Sequence, residues 1–193
     1  ITHVGDPGNL YYIDDNYVLW GSGGNEYGQL GQGIQDYEFH SEGLKIAESV
    51  IHVDYSQKGF VIFLTNDHKL YGVGNAGSGA LGQYEEFDWT RYTNGENYAE
   101  TTPILLMEDV AYANCGRDDI VCLKNDGTVW TWGYNNAGNC GVADFSVVRK
   151  PTMVAKEVTM VWTNLAIDNY PQPEKEQFEM AWTGDIKYDT EYE

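Results

Sequence analysis

Basic side chains are scarce in this sequence. Eleven Lys and Arg stand against thirty Asp and Glu, which gives the 193-residue chain a formal charge of −19. Nucleic-acid affinity rests largely on Lys and Arg displacing counterions from phosphates, so no nucleic-acid partner is expected. An anionic membrane surface is repelled on the same ground. No run approaches the roughly 18 apolar residues that a membrane-spanning helix needs. Cysteine is limited to Cys115, Cys122 and Cys140. An odd number without zinc-ligand spacing excludes a disulfide scaffold and a zinc site, and leaves three small buried fillers. Proline is also sparse, at 5, and no stretch sustains helical periodicity. The chain opens at Ile1 without Met, the expectation for a processed protein or an excised piece.

Glycine and tyrosine are plentiful instead, at 22 and 15. That combination suits short strands joined by tight turns. Laid on itself, the chain shows three gapless copies of a nineteen-residue stretch: 13–31, 64–82 and 123–141. Each opens with a polar turn, as in Asn125-Asp126-Gly127, and continues with Leu19-Trp20, Leu70-Tyr71 or Val129-Trp130. Glycines then recur at fixed offsets: Gly23, Gly28 and Gly31; Gly74, Gly79 and Gly82; Gly133, Gly138 and Gly141. A second anchor, ESVIHVDYS (48–56), EDVAYANC (108–115) and KEVTMVWT (156–163), keeps the same phase. The spacing between copies is 51 residues and then 59, and the added length lies between glycine box and anchor of the second copy.

Each unit reads as strand, polar turn, strand, glycine-rich turn and a further strand. Units of 50 to 60 residues that each form a small antiparallel sheet stack radially as propeller blades. The expectation is an all-β chain of about three blades plus a partial fourth. The repeats are set at approximately 6–56, 57–115 and 116–163, within 1–163, and residues 164–193 form a linker and the start of a fourth repeat. FVIFL (60–64) is expected to be an inner strand, with Trp20, Tyr71 and Trp130 filling the space between blades.

The glycine boxes resemble the repeats of the regulator of chromosome condensation family, in which a DG turn and a Tyr or Trp precede WGxNxxGQLG. The third copy matches through Asp126, Gly127, Trp132, Gly133, Asn135 and Gly138, and the first through Gly23, Asn25 and Gly28–Gly31. The second keeps Gly74, Gly79, Leu81 and Gly82 but has Val73 where Trp is usual. The family also commonly places His three residues after a Gly before the inner strand, where this chain has Gly116 and Asp119. Such divergent copies look like bacterial members, and the resemblance implies a β-propeller that usually closes as a ring of seven blades. It also implies guanine-nucleotide exchange as one function, although no exchange residue transfers onto this sequence.

No catalytic constellation emerges. The glycines lack a following helix or a GK[ST] for a phosphate loop. His3, His40, His52 and His68 are scattered, and Asp14-Asp15, Glu85-Glu86-Asp88 and Asp118-Asp119 lack calcium-loop spacing. No metal, cofactor or enzymatic activity is therefore expected. The candidate binding residues are Phe87, Trp89, Arg91, Tyr92 and Tyr98, in the insertion at 83–102. Loops carry function more often than scaffold strands, and Trp, Tyr and Arg dominate interface hot spots. The same aromatics could instead fold back over a blade edge.

The reading is a non-catalytic propeller module that binds another protein, on a bacterial surface or in secretion. The alternatives are an exchange factor, by resemblance, and a carbohydrate-binding module, from acidic and aromatic richness. Open blade faces at either end imply self-association or packing against further blades.

Overall fold

Twelve strands pair into three four-stranded sheets in a computed structural model of the chain, which describes residues 2–5, 8–77, 79–81, 98–143 and 147–159. Every pairing is antiparallel and every strand lies beside its neighbour in sequence. The first sheet holds β1 (Thr2–Gly5), β2 (Asn9–Ile13), β3 (Leu19–Asn25) and β4 (Asp36–Ala47). The second holds β5 (Val50–Ser56), β6 (Phe60–Thr65), β7 (Leu70–Asn75) and β8 (Ala99–Met107). The third holds β9 (Val110–Cys115), β10 (Asp119–Lys124), β11 (Val129–Tyr134) and β12 (Val147–Ala155).

The same local devices recur in each sheet. Hairpins between second and third strands put Tyr17, His68 or Gly127 in the left-handed region, at φ 61°, 63° and 79°. Their carbonyls accept the N–H of Val50, Val110 and Val158 in turn, which ties each hairpin to the start of the next unit. The residue before each of those valines, Ser49, Asp109 or Glu157, is also left-handed. Val158 thus makes the same bond as Val50 and Val110, the residues that open the second and third sheets. Residues 160–193, including the tail assigned to a fourth repeat, lie outside the described residues.

Two expectations are corrected. The sheets run one strand out of phase with the units at 6–56, 57–115 and 116–163, because 50–56 and 110–115 open sheets. FVIFL is accordingly the second strand of its sheet, and β5 packs against β1 and β2 while β9 packs against β5 and β6. The first strands are the ones that converge. A register irregularity lies beside Val50 and another beside Val110.

Stacking of sheets supplies the core. Tyr11, Ile13, Leu19 and Leu30 of the first sheet meet Val53, Val61, Phe63 and Val73 of the second. Ile62, Leu64, Leu70 and Leu81 on the other face of the second sheet meet Ile120, Cys122 and Trp132 of the third. The middle sheet is covered on both sides, so β6 is buried at every position and reads as a continuous apolar run. Tyr71 stacks on Phe63 with ring centroids 5.4 Å apart at the first joint, and Trp130 packs against the second. Trp20 pairs across from Tyr12, on the face of the first sheet turned away from the second.

Glycine is required where the third strand of each sheet crosses the turn between the first two. Gly23, Gly74 and Gly133 adopt φ 115°, 108° and 112°. A Cβ there would stand 2.0 to 2.4 Å from the carbonyl oxygens of Gly8, Gly59 and Asp118. Gly28, Gly79 and Gly138 are likewise equivalent: each is left-handed and donates its N–H to the carbonyl three residues back.

Candidate functional site

The turns joining first to second strands and the glycine-box loops joining third to fourth strands leave the sheets at the same end. The 83–102 insertion belongs to one of these loops. Phe87, Trp89, Arg91, Tyr92 and the box glycine Gly82 lie outside the described residues. Tyr98 does not: it is buried in the second joint, at 7% exposure, and residues 99–102 already belong to β8. Its carbonyl accepts the N–H of Ala76 at 2.7 Å. Tyr98 is therefore part of the core at this joint. The other copies hold their boxes from within: Asn25 Oδ1 accepts the Leu30 N–H and Asn135 Oδ1 the Cys140 N–H. The second copy has Ala76 at that place.

Two of the acidic residues singled out in the sequence, Asp14 and Asp119, serve the fold, and Glu85, Glu86 and Asp88 lie outside the described residues. Asp14 accepts from the N–H groups of Asn16 and Val18 and from the indole of Trp20, and these bonds hold its carboxyl below the usual range. Asp119 is buried against Asn139, and burial raises its carboxyl. Among the described residues no group of three His, Cys, Asp or Glu could hold a metal ion. The cysteines are free and buried; burial pushes the Cys122 and Cys140 thiols up to about 12 and raises the Cys115 thiol well above its ordinary value. None is activated as a nucleophile.

Two features do mark the glycine-box end. The first is apolar exposure: Ile34 precedes β4, and Tyr37 and Phe39 near its start are 88% and 70% exposed. The second is a cavity of about 570 Å³ at the junction of the second and third sheets. Lys58, Arg117 and Arg149 line it, with Asp118, Tyr134 and Val147. Three of only eleven basic residues thus meet at one point, brought from positions 91 residues apart by the lateral stacking of sheets.

The backbone beneath this cavity is fixed. The Ser56 hydroxyl donates to the Arg117 carbonyl across the joint, and the Tyr134 N–H donates to the Asp118 carbonyl at 2.8 Å. The Asn75 amide donates to the Lys58 carbonyl at 2.9 Å. Arg149 lies where β12 is irregular against β11, between the pairs Gly133–Val148 and Thr131–Thr152. Burial raises the Asp118 carboxyl, while Lys58 and Arg117 act in the opposite sense. Sequence reading missed this cluster. Its signal was departure from the repeat: Arg149 stands where β8 has Thr101, and Tyr134 where the other copies have Gly24 and Asn75.

Comparison with known proteins agrees with this architecture. Residues 126–162 match the model of the regulator of chromosome condensation (RCC1) repeat. Over 155 residues the chain is 28% identical to the human E3 ubiquitin-protein ligase HERC2, covering 78% of this chain but 3% of that protein. It is also 28% identical over 153 residues to the rat probable E3 ubiquitin-protein ligase HERC4, covering 76% and 13%. The chain thus spans a small part of the length of these relatives. Among solved structures, Prp20p of Saccharomyces cerevisiae superposes with a TM-score of 0.68 at 17% identity, covering 81% of this chain and 38% of that one. Human WBSCR16 superposes at 0.61 with 20% identity, covering 79% and 37%. Three in-phase glycine boxes, three similar sheets and the repeat match converge: residues 126–162 carry a regulator of chromosome condensation repeat, and the chain as a whole resembles proteins built from such repeats.

Proposed function

We propose that this chain is a non-catalytic propeller module that binds a protein through its glycine-box end. The observation that carries the reading is the exposed apolar group of Ile34, Tyr37 and Phe39 at that end. Large exposed aromatics are costly to leave in water and are typical interface anchors. The relative Prp20p has been studied for binding to Gsp1p and histones and solved bound to Kap60, which supports protein recognition as the mode. Exchange activity draws on the relatives alone. Accelerated nucleotide release from a small GTPase is the measurement that would favour it.

The test is site-specific photo-crosslinking in an extract of the source organism. A benzophenone side chain at Tyr37 or Phe39 should trap a discrete protein, and one at Tyr17, exposed at the opposite end, should not. Trp89→Ala should lower the trapped yield without lowering the melting temperature. Equal yields from both ends would defeat the reading.

A further inference from the structure

We propose that the cavity between the second and third sheets binds a carboxylate side chain of an acidic peptide segment, with Arg149 and Lys58 as its anchors. This rests on the reading that the glycine-box end binds protein, and it adds the chemistry of what is bound. Three cationic side chains face one carboxylate, that of Asp118, so the cavity is locally positive in a chain whose formal charge is −19. Such a concentration is not needed to hold the joint, which already has an apolar core and fixed backbone hydrogen bonds.

Arg117 is 64% exposed and its Nε lies 3.8 Å from Asp118, so part of its charge is already engaged. Among the described residues no carboxylate lies within ion-pairing distance of Lys58 or Arg149. An arginine fork and an ammonium on rigid backbone suit a carboxylate, because charge-assisted bonds are strongest where little ordering is required. The volume lies within the range of small-ligand sites, and exceeds what one carboxylate fills. Tyr134, 41% exposed, and Val147 offer apolar wall to a neighbouring side chain.

Competing anions fit less well. A dianionic phosphate would be set against the Asp118 carboxylate, which a singly charged group tolerates better. A nucleic acid would bring its remaining phosphates against an acidic surface. A short acidic segment avoids that penalty, since charges beyond about 8 Å are screened at physiological ionic strength.

The experiment uses the whole 193-residue chain and acetylated, amidated hexapeptide libraries whose central position is fixed as Glu, Gln, Lys or phosphoserine. Fluorescence polarisation should show the Glu library binding at least about tenfold tighter than the Gln library, the ratio expected for losing one charge-assisted bond. Arg149→Gln and Lys58→Gln should each remove most of that ratio with melting temperatures unchanged, and Arg149→Lys should keep part of it. Equal Glu and Gln binding, a preference for phosphoserine, or selectivity that survives both substitutions would overturn the assignment. Cross-linking from Tyr37 and Phe39 that persists under any of those results would leave the protein-binding reading standing.

Discussion

The indole N–H of Trp132 donates to the carbonyl oxygen of Ala80 at 2.5 Å, across the joint between the second and third sheets. Both residues are fully buried, so this bond has no competing water. Trp132→Phe keeps most of the apolar contact but leaves the Ala80 carbonyl unpaired, and should cost about 1–3 kcal/mol. Trp132→Ala should cost about 3–5 kcal/mol. Denaturant melts of the two variants check the order; a Phe variant as stable as the parent would show that the bond adds nothing.

Gly74→Ala should destabilise by at least about 1–3 kcal/mol, the scale of forced backbone strain. Its φ is 108° and the new Cβ would meet the Gly59 carbonyl at 2.3 Å. Gly24→Ala is the control, because its nearest neighbour lies 3.9 Å away and its φ is unexceptional. Thermal melting should separate the two clearly.

Asp54 accepts the N–H of Cys115 at 2.9 Å across the second joint, and burial raises its carboxyl despite that bond. The native state therefore holds this proton more tightly than the unfolded chain. Its contribution to stability is full below the unfolded value and is lost as pH rises through the raised native value. Asp54→Asn keeps an acceptor for Cys115 and removes the charge. Urea melts from pH 3.5 to 7 should show the variant gaining on the parent as pH rises. A variant that loses stability relative to the parent as pH rises would contradict the sign.

All three thiols are buried and raised, so they should resist alkylation in the native state at pH 8 and react together on unfolding. Mass spectrometry after brief exposure to iodoacetamide reads this directly. Rapid native labelling of any one would place it at the surface.

The glycines at 23, 74 and 133 were legible because backbone approach admits no other residue, so the same letter recurs in every copy. The hairpin turns were legible because polar residues that tolerate a left-handed backbone mark them. The first strand of each sheet was harder to place. Its segments recur in phase with the glycine boxes, but a repeat shows its period and not where a sheet begins, so the units were cut one strand late. Tyr98 looked like an interface aromatic because a sequence does not show that Ala76 leaves room beside it. Lys58, Arg117 and Arg149 were invisible as a group, since only stacking of whole sheets brings them together.

The two joints are built from different materials. Tyr11, Phe63 and Val73 form the first, while Cys122, Trp132 and Leu81 form the second. The middle sheet therefore presents two unlike surfaces, and neither outer sheet can take the other's seat without leaving a void or a clash. Sequential order is thus written into shape as well as into covalent connection. A chain with its repeats shuffled would keep every turn and every glycine, and would still have lost the instructions for assembling them.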